Sequence, residues 1–560
     1  MLSGYLLYSQ SDNRKSVYRP PVDIPIFLSG TFGELRSDHF HSGMDIRVGG
    51  KEGLPIYAIA DGYVSRVGVS PVGFGKVLYI NHQSTDHTSV YAHLQKFAPK
   101  IAQWVKQQQY DQKKFAINIY TAAELFPVKK GELIGYAGNS GSSGGAHLHF
   151  ELRDVASQEV INPLLWGFQT KDFIRPSISR LAVYPENISA QINGNSKPLF
   201  FEVQGWGEQH RLKDQKTIKV SGQISFGITT ADMHNDTPNT NGVYSIELWA
   251  DSTLLFHFKA DRFSFDETRY INSMIDYRFY KKHESRIVRT KRDPQNHLRL
   301  IEKLDQNGTF TVTEGDTINF VYIVKDFHGN LSKLPFKVVG VKNIIGAKAG
   351  ADSVAGELVV AGKPYQISEM VYEAKFPADA FYKDEIILHA GEGNASAYSP
   401  KITLGSVTIP VHKSYELKIK TNPQKTTSSK LTIVHLHNEK KTPLGGKWEN
   451  GWMKVTTRVL GDFVVMADTV PPTIKAVNFQ LNASIDTINQ LKINIKDDFS
   501  GIRDIEPSLN GSWLLMDYDP KNNLLLYEVD ERLLKGKNFL KVVVTDQCGN
   551  QSVFQTTLSR

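Results

Sequence analysis

The chain has 560 residues, 40% hydrophobic, 22% charged and 11% aromatic, with a formal net charge of +7. At ~100–200 residues per domain this is too long for one core, it is too apolar for disorder throughout, and no apolar run reaches the ~18 residues of a membrane-spanning helix. The single cysteine, Cys548, excludes a disulfide-stapled fold, and so small a charge over this length gives no argument for nucleic acid as a partner.

Met1–Gln10 is apolar and carries small residues without a preceding basic region. It reads as the tail of a secretory signal whose start lies upstream, so residues 1–19 are a signal remnant or linker. From there the chain is strand-biased. Lys76–Ile80, Thr217–Val220 and Gly242–Trp249 carry β-branched and aromatic residues bounded by Gly, Asn and Asp. One helix is expected near Ala98–Gln109, where Ile101, Trp104 and Val105 fall at helical spacing. An internal echo marks the later modules. Arg175-Pro176 and Pro471-Pro472 each introduce an extended strand entry, and Asp326-Phe-His-Gly-Asn330 matches Asp546-Gln-Cys-Gly-Asn550 as a turn between strands. The expected fold is mainly β. A first domain at 20–172 is followed by a β-sandwich module with an insertion at 173–340, a β-rich module at 341–468 and an immunoglobulin-like sandwich at 469–560.

The first domain holds three segments with chemical content. In His41-Ser-Gly-Met-Asp45, residues four apart on an extended strand face the same way. In His147-Leu-His149, residues two apart share a face while Leu148 and Phe150 point to the core. Tyr91-Ala-His93-Leu94 places a third imidazole source after an apolar strand. A lone strand histidine is commonly structural. Together these side chains supply the three ligands and open position of a catalytic zinc site, and imidazole donors argue against calcium or magnesium.

The motifs His-x-x-x-Asp, Tyr-x-His-Leu and a Gly-rich lead into His-Leu-His-Phe-Glu, with Val128–Gly138 before the last, resemble the lysostaphin/LytM-type zinc endopeptidases that cut the peptide part of peptidoglycan. The resemblance covers about residues 25–165. It implies one Zn2+ held by His41, Asp45 and His149, and His93 and His147 as an unliganded catalytic pair. It also implies a substrate-positioning role for Arg36. Zinc lowers the pKa of its water to about 7, and a free imidazole is suited to take that proton; which of the two histidines does so stays open. The implied function is hydrolysis of peptide cross-links in peptidoglycan, with peptidoglycan stems as substrate, β modules that position or regulate and further envelope proteins as partners. The implied compartment is the periplasm or the exterior. The competing reading is a catalytically inactive relative that activates another wall hydrolase; such relatives typically lose ligands that are all present here.

Other features read as structural. Asn139–Gly145 lacks the lysine and helix of a phosphate loop and is expected to keep one cleft wall low. The stretch between Leu94 and Val128 exceeds the family's usual connection and is either a wall over the groove or a surface excursion. His435-Leu-His437, His39 and His82 are expected outside any metal shell. Lys281–Arg292 is expected to be a solvated loop, since no aromatic platform interleaves it.

Overall fold

A computed structural model describes residues 17–214, 217–342, 356–393, 396–422, 426–482 and 484–560. The signal-like start at residues 1–10 lies outside them. The protein is mainly β. The first domain is built on an antiparallel sheet in the order Leu28–Gly30, Met44–Arg47, His147–Asp154, His87–Ala92, Lys76–His82, Gly62–Val69 and Ile117–Tyr120. A small sheet of Pro55–Tyr57, Leu133–Ala137 and Leu94–Phe97 covers it. Alternation places Leu148, Phe150 and Leu152 in a fully buried core with Tyr91 and Ile80. The intervening residues of the same strand, His147, His149 and Glu151, are thereby turned to the opposite face.

The helix spans Pro99–Gln112, entered through a proline in its first turn and ended by Lys113 in the left-handed conformation. Ile101 and Val105 bury one stripe against the first domain. Its other face meets the last module. Lys106 pairs with Asp530 at 2.7 Å, the Arg532 guanidinium lies 3.7 Å over the Tyr110 ring, and Trp513 stacks edge-on to that ring at 5.3 Å. The long connection is thus no idle excursion; it is the platform on which the C-terminal module docks.

The second domain is more irregular than a plain sandwich. Its 17-residue strand Thr217–Met233 pairs with several partners, including parallel pairing to Leu331–Gly340. The insertion adds the short helices Ile271–Met274 and Tyr277–His283. Phe32 and Phe40 of the first domain enter the second domain's core, and Arg262–Phe263 extends the first domain's sheet through Val160–Ile161. The two domains therefore share packing. Lys281–Arg292 is no solvated loop. It begins in a helix, and Arg289 and Lys291 both pair with the buried Glu186, while Arg286 and Arg289 lie over Tyr280 and Tyr184. Arg286, Arg289 and Lys291 are thus used internally, while Lys281 and Lys282 stay exposed.

Two five-stranded sheets enclose one core between residues 357 and 467, and two four-stranded sheets enclose another between 473 and 559. The sequence echo is reproduced atom for atom at two joints. Asp326 accepts from Asn330 N at 2.8 Å and Nδ2 at 2.6 Å; Asp546 accepts from Asn550 N at 2.8 Å and Nδ2 at 2.7 Å. Asn330 also donates to Asp172 O, and Asn550 to Asp468 O. Ser332 and Ser552 donate to Pro176 O and Pro472 O.

Candidate metal centre

Met44–Arg47 and His147–Asp154 are antiparallel neighbours, and their register sets Asp45 opposite His149. His41 stands before the strand, in irregular chain, so its convergence with Asp45 does not come from strand alternation as the spacing predicted. It comes from the bend at Ser42–Gly43, where a Cβ on Gly43 would lie 2.3 Å from Phe150 O. His41 Nε2 lies 3.0 Å from Asp45 Oδ1 and 3.1 Å from His149 Nδ1, and His149 Nδ1 lies 2.9 Å from Asp45 Oδ1. All three residues are buried.

The second nitrogen of each ring fixes its tautomer. A carbonyl can only accept, so the 2.8 Å contact of His41 Nδ1 to Thr31 O puts the proton on Nδ1 and leaves the Nε2 lone pair facing the cluster. His149 Nε2 is 3.1 Å from Glu151 Oε1, which aims Nδ1 inward. Glu151 is fully buried and held by Ser42 and Arg153. Burial raises its pKa, but Arg153, His149 and Ser42 outweigh that and hold it at about 2. Burial lowers His149, yet its contacts with Asp45 and Glu151 prevail and bring it up to about 9. The cluster thus favours positive charge at its centre. The donor set, two oriented imidazole nitrogens and a carboxylate oxygen meeting at one point, fits a divalent ion such as zinc.

Beside these three sit the other two histidines. His147 Nε2 is 3.4 Å from Asp45 Oδ1, and its Nδ1 contacts Gly145 O at 2.9 Å. The His93 ring centroid is 4.9 Å from that of His147 and 5.9 Å from that of His149. His93 adopts φ 58, a conformation rare outside glycine, and donates Nδ1–H to Ser140 O at 2.9 Å. Burial, then repulsion from His149 and His147, pushes it down to about 3, so it is neutral across the physiological range. Arg36 does not point into open space. Its Nη2 lies 3.1 Å from Asp45 Oδ2, and Gly30 makes room for the pair, since a Cβ there would come within 2.6 Å of both groups.

Motif reading had not given roles to Glu151, Thr31 or Phe74. Glu151, two residues after His149 on one strand face, was legible by the same alternation that placed His147. Phe74 stacks on the His149 ring at 5.2 Å and arrives from a turn with no motif of its own. The Gly-rich loop packs on that turn. Its Gly144 and Gly145 have open space where a Cβ would stand, leaving the wall low beside His147. On the loop's outer side, Lys521 of the last module donates to Asn139 O, to Ser143 O at 3.1 Å and to Gly141 O at 3.4 Å. The bystander histidines behave structurally. His82 bonds Asp61 O and Ser89, His435 bonds Leu460 O, and His39 pairs with Asp38 at the surface.

Residues 39–110 match a family model described as Peptidase family M23, and residues 357–468 match one described as a Zu5-like domain. The first bears out the LytM-type resemblance. The chain is 32% identical over 124 residues to a protein of Haemophilus influenzae named "Uncharacterized metalloprotease", covering 22% of this chain and 20% of the relative. It is 27% identical over 156 residues to the "DD-carboxypeptidase/endopeptidase Mpg" of Neisseria meningitidis, covering 28% and 29%. The catalytic domain of lysostaphin from Staphylococcus simulans aligns at 22% identity over 26% of this chain and 90% of that one, with a TM-score of 0.19. The chain spans less than a third of the length of these curated relatives.

Proposed function

We propose that the first domain is a zinc-dependent endopeptidase that hydrolyses peptide cross-links of bacterial peptidoglycan, acting outside the cytoplasm. One observation carries this reading. His41 Nε2, Asp45 Oδ1 and His149 Nδ1 meet within 3.1 Å, with both rings locked so that their lone pairs face each other. At that distance the two nitrogens need a positive centre between them, a proton on His149 Nδ1 in the metal-free protein or a metal ion once that proton has left. The M23 match and the metalloprotease relatives point to the same class.

His41, Asp45 and His149 would hold the ion, which when bound would supply Lewis acidity for the scissile carbonyl and acidify a water. Arg36 neutralises the outer oxygen of Asp45 and so positions it, a role closer to the ligand than the substrate contact implied by the motif. His93 keeps its Nδ1 proton on Ser140 O and presents a bare Nε2. His147 likewise holds Nδ1 against Gly145 O. A bare Nε2 of the pair can accept the proton of the attacking water and, once protonated, return it to the departing amine, and which ring does so stays open. The low glycine wall beside His147 suits a substrate with little side-chain bulk.

The test uses purified peptidoglycan and the full chain. His149→Ala should lose bound zinc and release of new amino groups together, by roughly a thousandfold or more in rate, whereas His93→Ala should keep zinc and lose ~10²–10⁴-fold in turnover. An inert wild-type protein that holds no zinc would favour the activator reading instead. Normal cleavage by His93→Ala would remove His93 from the mechanism.

A further inference from the structure

The joint between the first and second domains gathers a second set of imidazoles and carboxylates. Asp172 lies in the connecting segment. His234 follows the long strand Thr217–Met233, on which Asp232 stands, and Asp326 and His328 form the turn before Leu331. Ligand atoms of Asp172, Asp232 and His234 lie within 4.8 Å of one another, as do those of Asp172, Asp326 and His328.

Two buried oxygens here have no partner. Asp172 is 3% exposed; its Oδ1 accepts from Ile174 N, but its Oδ2 accepts no hydrogen bond and points at His234 Nε2, 3.7 Å away, and His328 Nδ1, 4.0 Å away. Asp232 is 2% exposed; its Oδ2 is 3.4 Å from His234 Nε2, and its Oδ1 is likewise unpartnered. Asn241, directly across the ladder from Asp232 and on the same face, has both side-chain amide atoms unpartnered. A bare buried carboxylate oxygen is costly, and native proteins leave few.

The His328 ring is set as a ligand is. His328 Nε2 is 2.9 Å from Thr170 O and must donate to it, so the lone pair on Nδ1 faces the Asp172 oxygen. A lone pair facing a carboxylate oxygen at 4.0 Å is a repulsive arrangement, which a cation between the two or a proton on Nδ1 relieves.

We propose that Asp172, Asp232, His234, Asp326 and His328 bind a divalent transition cation, of the zinc or manganese class, at the joint between the first and second domains. Mixed nitrogen and oxygen donors select such an ion over calcium or magnesium. The exposed face of His328 gives it an entry path. The ion ties the connecting segment to a strand and a turn of the second domain, fixing the catalytic domain on its neighbour without taking part in peptide cleavage.

The experiment removes the cleft site first. Full-length His149→Ala, stripped by chelator and titrated with zinc or manganese alone, should retain about one equivalent after desalting and gain several degrees in Tm. His149→Ala/His328→Ala should retain none and show no metal-dependent shift. His328 is exposed, so this variant should fold, and a metal-free Tm matching that of His149→Ala verifies it. His149→Ala/Asp172→Asn should behave the same way. A His149→Ala protein without bound metal, or double variants that keep the equivalent, would overturn the proposal.

Discussion

The two joints of this molecule share a plan and differ in chemistry. At the second, Asp468, Asp497 and Asp546 converge, and peptide nitrogens answer them. Val470 N and Ser500 N donate to Asp468, Phe499 N and Gly501 N to Asp497, and Asn550 to both oxygens of Asp546. At the first, Asp172 and Asp326 hold the equivalent places, but imidazoles intrude and two carboxylate oxygens stay bare. The cleft follows the first joint's pattern, with second ring nitrogens tied to carbonyl or carboxylate and first nitrogens converging. The lesson is that acidity alone does not mark a cation site. What separates the cases is whether buried carboxylate oxygens are left without a donor, as Asp172 Oδ2 and Asp232 Oδ1 are.

The sharpest way to break this comparison is at Glu151, which aims His149. Glu151→Gln should cost ~10–100-fold in metal affinity at the cleft and about 3–5 kcal/mol of stability, because Arg153 is left buried without its partner. Isothermal titration and chemical denaturation read the two effects. Unchanged affinity would show that Glu151 does not orient the ligand. Proton release comes next. His149 must lose its proton to ligate, and in the metal-free protein its pKa is raised to about 9. Below pH 9 zinc uptake should therefore release a proton from this residue, and apparent affinity should fall about tenfold per pH unit, roughly 100-fold from pH 9 to pH 7. Titration in buffers of different ionisation enthalpy counts the proton; a pH-independent affinity would contradict the assignment.

The second joint should respond differently. Asp546→Asn removes charge from two hydrogen bonds in a fully buried setting and should destabilise the last module by ~2–3 kcal/mol, equally with and without chelator. A metal-dependent loss would erase the distinction between the joints. The smallest effect is expected at Lys521. Lys521→Ala should leave bound zinc unchanged and alter KM for peptidoglycan a few-fold, since it frees the outer side of the loop that His93 grips from within. Steady-state kinetics measure it.

Much of the cleft was legible because its members obey short-range rules. His147, His149 and Glu151 alternate along one strand, and the helix near Ala98 announced itself by Ile101 and Val105. His41 reached the right place for a reason the spacing did not contain, a glycine bend in place of an extended strand. The joint at Asp172 was invisible as a site because its five residues come from three distant segments, of which only the Asp326–Asn330 turn carried a recognisable pattern. The basic stretch was misread for the same reason: Glu186, which neutralises Arg289 and Lys291, lies about a hundred positions earlier. Likewise nothing in the helix itself says that Tyr110 serves a module whose Trp513 is some 400 positions away.

The grip of Lys521 on the glycine loop has a temporal meaning. This lysine is made 380 residues after Gly141. At ~5–20 residues per second, a ribosome finishes it roughly 20–80 s after the loop emerges. A first domain that folded within that interval would have its histidines in hand but lack the outer anchor of the loop beside them. Translation order thereby sets a delay between the birth of the groove and its completion, without any separate inhibitor.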